Sequence, residues 1–219
     1  MLLLLALSAH RAGWWDVEVA YPRFVAKGAV ARAANADSAK RERKAFDEFL
    51  RDAKQSMPDV KANGSAGQYE LDIVPHRITD RPTVCSGYVD AYVDSAGAHP
   101  SNYYEAVNYG LVGGKVRALH LKDLFRPGVD AVGQASKGLL AVMRRDKESD
   151  QPSDVASGEW TRLSPDQAER FSFGRLGILF LFGRYDIGPG VEGSRTVLVP
   201  WSKLPGIDRK GVLKAVVGG

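Results

Sequence analysis

Residues 183–200 read GRYDIGPGVEGSRTVLVP, and the element that follows Gly193 decides the fold class. Gly188, Gly190 and Gly193 satisfy G-x-G-x-x-G, the spacing of a dinucleotide-binding loop. Such a loop works because its last glycine opens a helix whose N-terminal amides meet a pyrophosphate. Here Gly177 to Phe182 is apolar on both faces and reads as a preceding strand, but Ser194 to Pro200 is a β pattern closed by proline. Pro189 also removes a backbone donor from the loop. The glycines are therefore predicted to form a wide turn joining two strands, through positive φ or close backbone approach. No nucleotide is expected there, and no cofactor elsewhere.

Outward from this turn the chain alternates strands and helices. Trp15 to Tyr21 alternates apolar and polar residues and stops at Pro22; Tyr69 to Ile73 and Thr83 to Asp94 alternate likewise. Cys85, Val89, Ala91 and Val93 fall on one face of the latter, Tyr88 and Tyr92 on the other. Ala29 to Ser56, free of Gly and Pro, is predicted to be one long helix. Its stripe of Phe46, Phe49, Leu50 and Ala53 is a quarter-turn out of phase with Val30, Ala33 and Ala34, which suggests a bend near 35–38. Pro58 and the run from Asn63 to Gly67 mark a loop. Gly113-Gly114 suits a two-residue hairpin turn. Val129 to Met143 keeps helical spacing, and Ser164-Pro165 is a helix start with a capping serine. This order predicts an α+β fold: a largely antiparallel sheet or sheets, a long N-terminal helix and a second helix packed on them, in two small subdomains.

Composition removes several function classes. The chain has 219 residues, 44% of them hydrophobic and 26% charged, enough for a real core. Of the net charge of +4, much lies between Arg23 and Lys54, where nine Lys/Arg face five Asp/Glu. The few aromatic residues among these cations do not interleave them in the way a single-strand stacking platform requires, so no nucleic-acid partner is expected. The single cysteine, Cys85, can close no intramolecular disulfide, and it sits in a strand pattern as a small buried hydrophobe. Four scattered histidines supply no metal-ligand spacing, so no metal site is expected. Met1 to Ala9, MLLLLALSA, resembles the apolar part of a secretory leader without its basic start, and is too short to span a bilayer. The alternative is a strand or helical turn packed at the N-terminus. No cysteine follows that could carry a lipid anchor. Residues 1–12 are read as a truncated signal peptide of a soluble, periplasmic or extracellular protein without a transmembrane segment.

Two blocks carry a family resemblance. The first is Tyr185-Asp186-Ile187-Gly188-Pro189-Gly190, then Gly193, Val197 to Pro200 and Leu204; the second is Gly97-Ala98-His99-Pro100, Tyr109, Gly114-Lys115 and Leu119 to Phe125. Together they resemble the C-terminal domain of lysozyme-sensing anti-sigma factors of the RsiV type, shared by exported bacterial proteins of unknown function. A third block, Tyr21-Pro22-Arg23-Phe24 with Asn35, is similar to the companion N-terminal domain that also accompanies a peptidoglycan deacetylase. Gly190 and Val191 depart from the pattern, which often has an aromatic and an alanine there. The resemblance implies an N-terminal α+β subdomain over 14–96 and an RsiV-type domain over 97–219. It implies an envelope binding module rather than a settled reaction, with peptidoglycan or a lysozyme-like protein as partner. The chain's own basic charge disfavours basic lysozyme.

The candidate ligand-binding residues are His99, Tyr185, Asp186, Glu192 and Trp201. His99, in a polar loop, suits a ligand contact or general base, or a hydrogen bond that fixes the loop. Asp186 and Glu192 could pair for acid–base work on a glycan; the alternative is a turn-capping Asp and a solvated Glu. Tyr185 and Trp201 could stack on a sugar, or could be core residues at strand ends. No residue is assigned as catalytic. The expectation is a non-catalytic binding module for a cell-wall component or an envelope protein. The alternatives are a cell-wall hydrolase using His99 with Asp186 or Glu192, and an inhibitor or sensor of a lysozyme-like enzyme.

Overall fold

The computed structural model describes residues 6–65, 67–97, 99–145 and 150–217. One sheet has six strands in sequential order: β1 (Leu7–Arg11), β2 (Trp15–Val19), β3 (Tyr69–Arg81), β4 (Val84–Ser95), β5 (Ser101–Val112) and β6 (Lys115–Ala118). Only β2 and β3 run parallel, because helix α1 (Ala29–Ala62) makes the crossover between them. Gly113 and Gly114 both take positive φ in the β5–β6 hairpin, as their position predicts. Pro75 lies inside β3 but beyond Ile73, where pairing with β2 has ended, so its missing N–H interrupts no ladder on that side.

Helix α1 is a single helix of 34 residues, about 50 Å long. The helix is unbroken through 35–38, where the two stripes change phase. Its buried residues include Val30, Ala34, Ser38, Glu42, Ala53 and Met57, a ridge stepping mostly by four. Two polar residues, Ser38 and Glu42, join the apolar segments that look out of phase, and Arg23 pairs with the buried Glu42 carboxylate. The helix also runs through Pro58, where the sequence suggests a loop. Pro58 is exposed, as is Lys54, whose carbonyl loses its donor, while Met57 and Val60 keep the last turns on the core.

The second layer follows. Helix α2 (Ala131–Met143) is capped by the Asp130 side chain, which accepts from the Gly133 amide at 2.9 Å. Helices α3 (Ser153–Ser157) and α4 (Pro165–Glu169) are short, and Ser164 and Gln167 close a reciprocal capping box on α4. Strands β7 (Phe171–Phe173), β8 (Gly177–Phe182) and β9 (Arg195–Pro200) form an antiparallel sheet, and α5 (Lys214–Val217) ends the described chain. One hydrophobic cluster lies between α1 and the larger sheet; the other gathers α2, the smaller sheet and the 121–125 segment. The expected α+β architecture is what the chain adopts. The boundary drawn at 96/97 falls between β4 and β5, which are paired neighbours in one sheet.

A buried polar seam joins the layers. The outward edge of β7 is closed by side chains of the larger sheet rather than by another strand. Asn108 Nδ2 donates to the Phe171 carbonyl at 2.7 Å, the Phe173 amide donates to Ser86 Oγ at 2.8 Å, and Thr79 Oγ1 donates to the Phe173 carbonyl at 2.6 Å. Ser86 Oγ also donates to Asn108 Oδ1 at 2.7 Å and lies 2.7 Å from Ser172 Oγ. Its one proton and two lone pairs are all used. The β3–β4 register shifts between Arg77 and Thr79. That bulge aims Thr79 into the seam and leaves Ile78 exposed.

Leu7–Arg11, within the expected leader, is the edge strand β1, paired along its length with β2. Met1 to Leu5 lie outside the described residues. Among the described residues no helix is long and apolar enough to cross a membrane.

Candidate functional site

Phe182 pairs with Arg195, so residues 183–194 form one wide turn between β8 and β9. Gly190–Glu192 is a single 3-10 turn, Gly193 takes φ +74°, and strand β9 follows. No helix stands behind the glycines, so there are no helix amides to hold a pyrophosphate.

Two carboxylates build this turn from inside. Asp186 accepts from the Gly183 amide and takes both terminal nitrogens of Arg170, at 2.9 and 2.7 Å. Its own carbonyl accepts from Gln167 Nε2 at 2.9 Å, which fixes the turn to α4. Glu192 folds back over Gly188 and accepts from the Ser153 amide, 3.3 Å from each oxygen. Both carboxylates are thus engaged in local structure, and each with different groups.

Tyr185 is the outward element. It holds φ +70°, a region costly for a residue with a Cβ, and remains 69% exposed. Its ring lies directly over Gly190, where a Cβ would collide with it. The Arg184 guanidinium sits 5.5 Å from the ring centroid, Nε donates to the Gly190 carbonyl at 2.8 Å, and Nη1 donates to the Pro100 carbonyl at 2.7 Å. Val191, 88% exposed, stands next to this platform in the chain. Arg184 therefore brings the two family-like blocks together, since Pro100 follows His99. The His99 side chain is exposed and hydrogen-bonds to no described residue, so it does not fix the loop. Ala98 lies outside the described residues.

Trp201 is elsewhere. It is buried, its indole N–H donates to the carbonyls of Gly174 and Arg175 at 3.1 and 3.0 Å, and it stands at the far end of β8 from Tyr185. Six residues of strand separate the two, about 20 Å. They share no stacking surface, and Trp201 is a core residue. Cys85 is likewise buried, and burial pushes its thiol up to about 11, so it is neutral and inert at physiological pH. Arg170 and Arg184 were not legible as site residues. Neither belongs to a spacing motif.

The fold is thus a two-layer α+β arrangement whose exposed turn is braced by arginines. Residues 122–202 match the model of a protein family of unknown function, DUF3298. That segment spans the second layer and the turn. Two solved structures share the wider architecture. A DUF3298 family member from Bacteroides fragilis is 17% identical, with 93% of this chain and 90% of that one covered at a TM-score of 0.59. A DUF3298 family protein from Pseudomonas aeruginosa is 15% identical, with 92% of each chain covered at 0.50. At such identities the likeness is one of fold. No curated protein matches the chain.

Proposed function

We propose that this protein is a non-catalytic binding module of the bacterial cell envelope, an RsiV-type extracytoplasmic domain with its companion. One observation carries the reading. The chain holds Tyr185 in a left-handed conformation, over a glycine that leaves room for its ring, and spends Arg184 on backbone carbonyls to keep it outside. Backbone strain of this kind costs about 1–3 kcal/mol and persists where a conformation is used. An exposed aromatic face fixed at low entropic cost is an anchor for a sugar ring or for a protein hot spot. His99 and Val191, both exposed, are chain neighbours of Pro100 and Gly190, whose carbonyls Arg184 binds. The envelope location rests on the resemblance of the first residues to a secretory leader.

The test uses insoluble peptidoglycan and lysozyme-coated beads, with wild type and Tyr185→Ala. Binding to one of the two, weakened about tenfold by the substitution, supports the module. Release of soluble muropeptides that is lost in His99→Ala would replace it with a hydrolase. Binding to neither support would end the proposal.

A further inference from the structure

Charge is unevenly distributed along the strands of the larger sheet. Strand β3 begins with Glu70 and Asp72, paired with Asp94 of β4 and Glu18 of β2, and ends at Arg81. At the Arg81 end three exposed apolar side chains gather: Ile78 at the β3 bulge, Leu111 of β5, and Leu176, which is 70% exposed. Arg175 and Leu176 form the tip of the β7–β8 hairpin, a tight turn closed by the Gly174 amide donating to the Gly177 carbonyl at 3.0 Å. The tip leans on β3, since a Cβ at Gly174 would meet the Ile78 side chain. Ile78, Arg81 and Arg175 line a cleft of about 370 Å³ with Ala215 and Val216. Ala215 also lines the next cleft, of about 420 Å³, with Leu111, Val212 and Lys214, so the two make one continuous surface. On this surface the cations are free and the acids are not. Arg81, Arg175 and Lys214 are exposed and pair with no carboxylate among the described residues. The Asp80 carboxylate instead accepts from the amides of Val25 and Ala26 at 2.8 and 2.9 Å and has Arg77 at 3.4 Å. Asp208 accepts from the amides of Lys210 and Gly211 at 3.0 and 3.1 Å, and Arg209 and Lys210 stay exposed on that turn.

We infer that this end of the molecule docks on an anionic lipid bilayer, with Leu176 and Ile78 entering the headgroup region and Arg81, Arg175 and Lys214 meeting lipid phosphates. Charge selects the sign of the partner. The acidic end of β3 does not oppose it, because Asp72 lies about 20 Å along the strand from Ile78. That separation exceeds two Debye lengths of about 8 Å at physiological ionic strength. The apolar tip selects the kind of partner. A hydrated polyanion neutralises the cations but offers nothing to Leu176 and Ile78, whereas a bilayer interface takes up both. Docking also sets an orientation. Strand β8 runs from the Leu176 tip to the turn that carries Tyr185, so the docked molecule presents Tyr185 at the end away from the lipid. The inference does not depend on what Tyr185 binds.

The experiment sediments the full chain with sucrose-loaded vesicles of phosphatidylglycerol and phosphatidylcholine in equal parts, and with vesicles of phosphatidylcholine alone. Pelleting is expected with the anionic vesicles, to weaken as salt is added, and to be at least about tenfold weaker on the neutral ones. Each interfacial cation contributes about fivefold, so Arg81→Ala combined with Arg175→Ala lowers partition about 25-fold. Leu176→Ser lowers it about fivefold. These substitutions change exposed side chains, and an unaltered unfolding midpoint shows that the variants fold. A polarity-sensitive dye on Leu176→Cys shifts to the blue on anionic vesicles, while the same dye on Val191→Cys, in the Tyr185 turn, does not; the native Cys85 is buried and stays unlabelled. No preference for anionic lipid, pelleting indifferent to Leu176→Ser, or an equal shift of both dyes would each overturn the inference. Binding to heparin without binding to vesicles would assign the surface to a soluble polyanion and overturn it as well. Such a failure leaves the Tyr185-dependent pelleting untouched, because peptidoglycan and lysozyme-coated beads carry no lipid.

Discussion

Ser86→Ala is the sharpest single perturbation of this fold. The hydroxyl is fully buried and meets three groups: the Phe173 amide, Asn108 Oδ1 and Ser172 Oγ. Alanine fits the space but leaves all three without that partner. A buried polar group stripped of its partner costs about 1–3 kcal/mol. Ser172 can rotate its proton elsewhere and Asn108 keeps its bond to Phe171, so the sum falls below the simple total, at about 2–5 kcal/mol. Domains of this size lose about 2–4 °C of Tm per kcal/mol, so Tm should fall by about 5–15 °C. Urea unfolding followed by tryptophan fluorescence measures the free energy, with the slope unchanged if only stability moves. Ser172→Ala on top of Ser86→Ala should cost less than it does alone, because its partner is already gone. A loss below about 1 kcal/mol for Ser86→Ala, or strict additivity of the pair, would show that the seam does not hold the layers together.

Other outcomes follow from burial and charge. Cys85 should resist Ellman's reagent at pH 8 in the folded protein and react fully in denaturant, since its thiol is buried and its ionisation is pushed up to about 11; rapid labelling of the native state would contradict this. Burial, then the neighbouring Glu105 charge and the hydrogen bond to Glu105, raise the Tyr21 phenol well above its ordinary range. The unfolded chain then ionises first, near pH 10, so stability is constant below that pH and falls as pH rises beyond it. Tyr21→Phe should flatten most of this alkaline slope in urea midpoints measured from pH 8 to 11, with burial of Tyr103, raised to about 12, accounting for part of the remainder.

What could be read in advance was whatever repeats locally. The alternation around Cys85, the Gly113-Gly114 hairpin, the capping serine at 164 and the β pattern after Gly193 are each set by neighbours within a few residues, and each appears where expected. The misses have a common cause in contacts between distant segments. Ser38 and Glu42 look like breaks in the α1 stripe until Arg23 is seen beside Glu42. Pro58 looks like a stop until its exposure is known. In the site, Tyr185, Asp186 and Glu192 were singled out because they flank the glycines, but the roles depend on Arg170, Arg184 and Ser153, which no spacing rule connects to them. Trp201 failed as a binding residue because strand ends expose one aromatic and bury another, and only the carbonyls of Gly174 and Arg175 decide between them.

The polar seam explains how the turn is held in register with the larger sheet. Two sheets packed through apolar contacts alone can slide by a residue with little change in buried area. Here sliding β7 by one residue would turn the Phe171 carbonyl and the Phe173 amide away from Asn108 and Ser86 and leave buried groups on both sides unpaired. The register of the smaller sheet on the larger is therefore specified by hydrogen bonds. Arg184, rooted in the smaller layer, can then reach the Pro100 carbonyl at the start of β5, and Tyr104 of β5 can reach Ser194 at 3.3 Å. Loosening the seam should release Tyr185, although no seam residue belongs to the turn that carries it.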